Sequence, residues 1–129
     1  MRIGELAATS CTTTKTLRFY ERAGILTPPD RTRGGYRDYG IEALHRLDFI
    51  RRGRTAGLSL AQIREVLDIR DAGTPPCDHV QRLLNDRLAD VERQLAGLHA
   101  LRDTVAGLRD AAATVVSASC EPAAVCRYL

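Results

Sequence analysis

Leu84, Leu88, Val91, Leu95, Leu98, Leu101, Val105, Leu108, Ala112 and Val115 follow one another at steps of three and four residues. That spacing is the seam of a coiled coil, interrupted once at Leu98, where two steps of three adjoin. A helix of about forty residues is roughly 60 Å long, too long to bury its stripe against a small domain. The chain offers no second long helical run to pair with it inside one molecule, so the seam predicts a homodimer. Everything else in the 129 residues must be read as what such a dimer carries.

With two Phe, four Tyr, one Met and no Trp, burial falls to aliphatic side chains, which suits a mainly α fold. No apolar run approaches the roughly 20 residues that span a bilayer, and the first residues lack the apolar centre of a secretion signal. A cytoplasmic location with no membrane partner is expected, and there four cysteines read as thiols or metal ligands rather than disulfides. The net charge of +3 is uneven: residues 1–55 hold eleven Lys/Arg against six Asp/Glu, and residues 56–129 hold eight against ten. The basic half fits a polyanionic partner, but charge alone does not separate that from a solvated face.

Along that basic half, Ile3-Gly4-Glu5-Leu6-Ala7-Ala8 reads as a short helix. The hydroxyls of residues 12–14 cap a second, Lys15 to Arg22, which Gly24 ends. Two short helices joined tightly form a helix-turn-helix, whose second helix enters the major groove of DNA. Next, Gly34-Gly35 between Arg31-Thr32-Arg33 and Tyr36-Arg37-Asp38-Tyr39 predicts a small hairpin. Its three arginines and two tyrosines suit a wing that grips phosphates, although a plain surface turn fits the same residues. Residues 41–56 return to helical spacing, with Arg46, Arg51, Arg52 and Arg54 on the polar side. Gly57-Leu58 breaks that helix, and Ser59 caps the next.

Asp71-Ala72-Gly73-Thr74-Pro75-Pro76 is the one hinge-like segment, and the long helix follows, from Pro76 to about Ser119. Cys77 stands at its start, and Cys120 and Cys126 lie beyond its end. Within one chain that length keeps Cys77 far outside the roughly 2.3 Å metal–sulfur distance from an ion held at Cys120. In an antiparallel dimer, Cys77 of one subunit meets Cys120 and Cys126 of the other. Three thiolates favour soft or borderline ions such as mercury, cadmium, lead, zinc or monovalent copper. Buried free thiols are also common, so the cysteines by themselves leave metal binding open. Cys11 is read as structural, His79 as a second-choice ligand and His99 as solvated.

Ile3-Gly4-Glu5-Leu6-Ala7, the run from Thr16 to Leu26, Gly35-Tyr36-Arg37-Asp38-Tyr39, Leu47-Asp48-Phe49-Ile50 and Gly57-Leu58-Ser59-Leu60-Ala61-Gln62-Ile63 together resemble the MerR family of transcription regulators, in its heavy-metal-responsive branch. The resemblance implies a winged helix-turn-helix DNA-binding domain at 1–72, an antiparallel coiled-coil dimerisation helix at 73–119 and a metal-binding loop and tail at 120–129. It also implies double-stranded promoter DNA and RNA polymerase as partners. In the implied mechanism, metal binding makes the dimer bend and untwist DNA so that misaligned promoter elements realign, turning a repressor into an activator.

By the same resemblance, Arg18 and Tyr20 match DNA-contacting positions of the recognition helix, with Thr13 and Lys15 near its leading end, and Arg33, Tyr36 and Arg37 match the wing. Cys77 matches the position that accompanies divalent ions: mercury, cadmium, lead or zinc. One departure stands out, since the first loop cysteine of familiar members comes about two helical turns earlier, near Ala112 here. Two alternatives therefore stay in view: a monovalent copper or gold sensor using Cys120 and Cys126 alone, and a redox or thiol-stress sensor on the same scaffold. An enzyme is not expected, because no carboxylate pair, triad or phosphate loop is present.

Overall fold

The computed structural model describes residues 1–113. The order of elements is α1 (Ile3–Thr9), α2 (Thr14–Arg22), β1 (Asp30–Arg31), β2 (Arg37–Asp38), α3 (Ile41–Thr55), α4 (Leu60–Asp71) and α5 (Cys77–Ala113). The mainly helical, winged helix-turn-helix class expected from the sequence is the one found. Cys120 and Cys126 lie outside the described residues.

Local chemistry sets most of the boundaries. At the start of α2, the Thr13 hydroxyl accepts the Thr16 amide at 3.1 Å, satisfying one of the unpaired donors that every helix start leaves. Ser59 and Gln62 form a reciprocal capping box before α4, with bonds of 3.1 and 2.9 Å. Behind α2, Gly24 takes a left-handed φ of 74°, which a side chain would resist, so the helix ends there as expected. β1 and β2 pair antiparallel, Asp30 opposite Asp38 and Arg31 opposite Arg37, and Gly35 at φ 80° turns the chain between them.

Two compact units divide the chain, Met1–Arg87 and Leu88 onward. In the first, Leu6, Leu17, Ile25, Leu26, Leu47, Ile50, Leu58, Ile63 and Leu67 form one core with Tyr39. α3 and α4 pack closely enough that a Cβ on Gly53 would sit 3.0 Å from the Ile63 side chain. The opening turns of α5 belong to this unit. Leu83 packs on the core, and Arg87 donates from Nε to the Ala56 carbonyl at 2.9 Å, meeting the C-terminal end of α3 where a cation is favoured.

The second unit carries the rest of α5. Along the whole helix no residue is buried, and Leu88, Leu95, Leu98, Leu101 and Val105 are each more than half exposed. No helix among the described residues is long and apolar enough to cross a membrane.

Candidate DNA interface and metal-ligand positions

α2 is the second helix of the helix-turn-helix and sorts its side chains by face. Leu17 is fully buried, while Lys15, Arg18 and Arg22, spaced at three and four, share the solvent face. Thr13, expected near the leading end, is exposed and also serves as the cap. Tyr20 is half-buried against the core with its ring 6.0 Å from that of Phe19.

The hairpin is fastened to α2 through Glu21. Its carboxylate accepts from the Arg37 guanidinium at 2.6 Å and from the Tyr39 hydroxyl. Burial is the first reason that the Tyr39 phenol is pushed above its ordinary pKa, and its hydrogen bond to Glu21 adds to it. The Arg37 guanidinium is raised in turn, by its hydrogen bond with Tyr39 and then by the charge of Glu21. Arg37 is thus partly committed to holding the wing against the recognition helix. Arg33 at the tip is exposed. Tyr36 is exposed as well, and the Arg2 guanidinium lies 4.3 Å from its ring centroid, within cation–π range.

Two expectations are corrected. Tyr39, counted among the wing residues that grip phosphates, is buried at 3% exposure and belongs to the core. Arg46, assigned to the polar face of its helix with Arg51, Arg52 and Arg54, is buried at 7%. Its guanidinium donates to both Asp71 oxygens at 2.9 and 3.0 Å and to the Ile25 carbonyl, which leaves it no role on a DNA-facing surface. That hydrogen bonding is the first cause holding the Asp71 carboxyl below the ordinary carboxylate range. Arg51 and Arg52 are exposed and share Asp48.

Arg2 and Glu21 were missed. The only signal for Glu21 was an acidic residue on α2 between the basic face and the buried Leu17 side, and Arg2 lies too far from Tyr36 in sequence for a pairwise pattern to find it.

Cys77 is the first residue of α5 and is exposed. One heptad before Leu84, it lies on the face that begins the apolar seam, and with Pro76, Val80, Gln81, Leu84 and Asn85 it lines a shallow depression. Cys11 is exposed in the turn between α1 and α2 with a left-handed φ of 54°. His79 points toward α4, its Nε2 3.4 Å from a Glu65 carboxylate oxygen, and His99 is exposed as expected. Among the described residues no three His, Cys, Asp or Glu side chains gather into a metal-binding group.

The family description "MerR HTH family regulatory protein" matches residues 1–69, and "MerR, DNA binding" matches residues 44–108. The HTH-type transcriptional regulator ZntR of Escherichia coli (strain K12) is 40% identical over 111 residues, covering 85% of this chain and 79% of that protein. The heavy metal-dependent transcription regulator 2 of Rhizobium meliloti (strain 1021) is 37% identical over 106 residues, covering 81% and 71%. Among solved structures, the transcription regulator PbrR691 from Ralstonia metallidurans CH34, in complex with lead(II), superposes with a TM-score of 0.75 at 37% identity, covering 93% of this chain and 94% of that one.

Proposed function

The chain belongs to the MerR family of DNA-binding transcription regulators, and from that premise we propose that it is a homodimer that senses a thiophilic divalent metal ion at a promoter. The observation that carries this reading is the place of Cys77: exposed, at the first turn of α5, on the face that the apolar seam continues. A partner helix that covered the seam would also bring its own residues to that thiol.

The ion would be held by Cys77 of one protomer with Cys120 and Cys126 of the partner, a donor set suited to mercury, cadmium, lead or zinc. When bound, the metal neutralises thiolate charge and cross-links two subunits at the end of their shared helix pair. The protein's own residues do the rest. Lys15 and Arg18 on α2 and Arg33 and Tyr36 on the hairpin contact promoter DNA, most of them at phosphates, and Glu21 with Arg37 fixes the angle between the two elements. Two such units on a twofold axis reach two half-sites. An ion held by Cys77 and the partner's Cys120 and Cys126 would shift which DNA deformation the dimer favours, so that RNA polymerase would engage a promoter it could not use before.

The experiment is a titration of the purified dimer with zinc, cadmium, lead, mercury and monovalent copper, paired with transcription from the operator. Cys77→Ser, Cys120→Ser and Cys126→Ser are each expected to abolish the metal response while leaving operator binding intact. A full response in all three single variants would remove the site assignment. Loss only in the Cys120 and Cys126 variants, with monovalent copper as the active ion, would favour the two-cysteine alternative.

A further inference from the structure

Arg46 is the one charged residue buried among the described residues, and what it joins matters more than its burial. A buried guanidinium is costly unless its donors are met, and here they are met by two separate elements. One is the carbonyl of Ile25, in the stretch that leaves the recognition helix; the Ile25 amide itself bonds back to the Tyr20 carbonyl at 3.0 Å. The other is Asp71, the last residue of α4 and six positions before Cys77. Between Asp71 and Cys77 lies only the hinge, with Gly73 at φ 92°.

Beside this bridge is a cavity of about 450 Å³, lined by Leu26, Pro29 and Tyr39 on one side and by Arg70 and Asp71 on another. The end of α4 is therefore not sealed against the base of the hairpin by packing. The forked pair spans the gap, and a planar guanidinium holding a carboxylate at two points transmits orientation as well as position.

We propose that Arg46, held by Asp71, is the positioning residue that passes a displacement at the start of α5 to the exit of the recognition helix. This rests on the metal-responsive reading above, because it is metal capture at Cys77 that would displace the start of α5. The path is short and physical: Cys77, the hinge, Asp71, Arg46, Ile25, α2. A side chain that holds Ile25 and Asp71 at the same time ties the exit of the recognition helix to the end of α4, so a shift of one is felt at the other.

The test compares wild type, Asp71→Asn and Arg46→Lys by zinc binding, by operator affinity with and without zinc, by zinc-dependent transcription and by amide hydrogen exchange. Asp71→Asn, at a carboxylate about half exposed, is expected to bind zinc with wild-type stoichiometry and the operator within about twofold of wild type, and Arg46→Lys, which keeps the charge but loses the fork, is compared with it. Exchange across residues 20–26 rises while that of α1 stays as it was. The ratio of zinc-loaded to zinc-free transcription falls at least about fivefold, the lower end of ordinary allosteric coupling. Should Arg46→Lys fail to fold, Asp71→Asn decides, since that carboxylate is about half exposed.

An unchanged transcription ratio together with unchanged exchange at 20–26 overturns the proposal. So does an equal loss of operator binding in the zinc-free and zinc-loaded states, which marks a purely structural pair. A wild type that answers to none of the thiophilic ions sinks the metal-responsive reading instead, and the exchange measurement then decides the role of Arg46 by itself.

Discussion

Leu17 and Ile63 in the first unit are fully buried within one chain, whereas Leu98 and Leu101 on α5 are 62% and 57% exposed. Both pairs are leucine-class residues on amphipathic helices, so composition does not separate them. The difference lies in whether a partner surface exists in the same molecule. The first unit closes its core with four helices, α1 to α4, and the hairpin, while α5 carries an apolar stripe that nothing among the described residues covers. A stripe of that length is the surface that the proposed homodimer would bury. One region buries its apolar residues within the chain, and the other leaves them exposed for the proposed dimer to cover.

The sharpest way to break that contrast is to charge the seam. Leu98→Asp with Leu101→Asp removes four leucines per dimer, each worth about 1.5–3 kcal/mol when fully buried. Sedimentation equilibrium should show monomer where wild type is dimer, and the melt of the first unit should stay unchanged. Loss of folding in the first unit would mean that the two regions are not independent.

A smaller effect is expected at Gly57, where the comparison can be sharpened from the other side. The backbone there is left-handed at φ 87°, and a Cβ would meet the Arg87 guanidinium at 2.5–2.7 Å. Gly57→Ala should therefore cost about 1–3 kcal/mol in denaturant unfolding of the first unit, with dimerisation intact. Smallest of the three is Ser59→Ala, which opens the capping box of α4 and should lower stability by about 1 kcal/mol in the same measurement.

The parts of the fold that depend on near neighbours were legible in the sequence. Thr13 and Ser59 as caps, Gly24 and Gly57 as helix ends, the glycine pair of the hairpin and the seam itself all follow from residues a few positions apart. What escaped was pairing at long range. Arg46 falls beside Leu47 and four residues before Ile50, on the buried stripe of α3, but a charged side chain reads as solvent-facing unless its partner is known. That partner, Asp71, is twenty-five residues away. Tyr39 escaped for the same reason, since its hydroxyl is met by Glu21 on another helix. Of the candidate site, Thr13, Lys15, Arg18, Arg33 and Tyr36, assigned by the family resemblance, are exposed, and their contact with DNA remains a proposal. The metal loop falls outside the described residues, and its expected closure by a partner subunit stands on the seam and on Cys77.

That closure across the dimer is the central claim, and a mixed dimer tests it directly. One protomer carries Cys77→Ser, and the other carries Cys120→Ser with Cys126→Ser. If each site takes Cys77 from one chain and the loop pair from the other, the mixed dimer retains one intact three-thiolate site, binding a single cadmium ion with the ultraviolet thiolate-to-metal absorption of wild type, while the two parent homodimers bind none. A mixed dimer with no such absorption, or parent homodimers that retain it, would contradict a site shared between subunits.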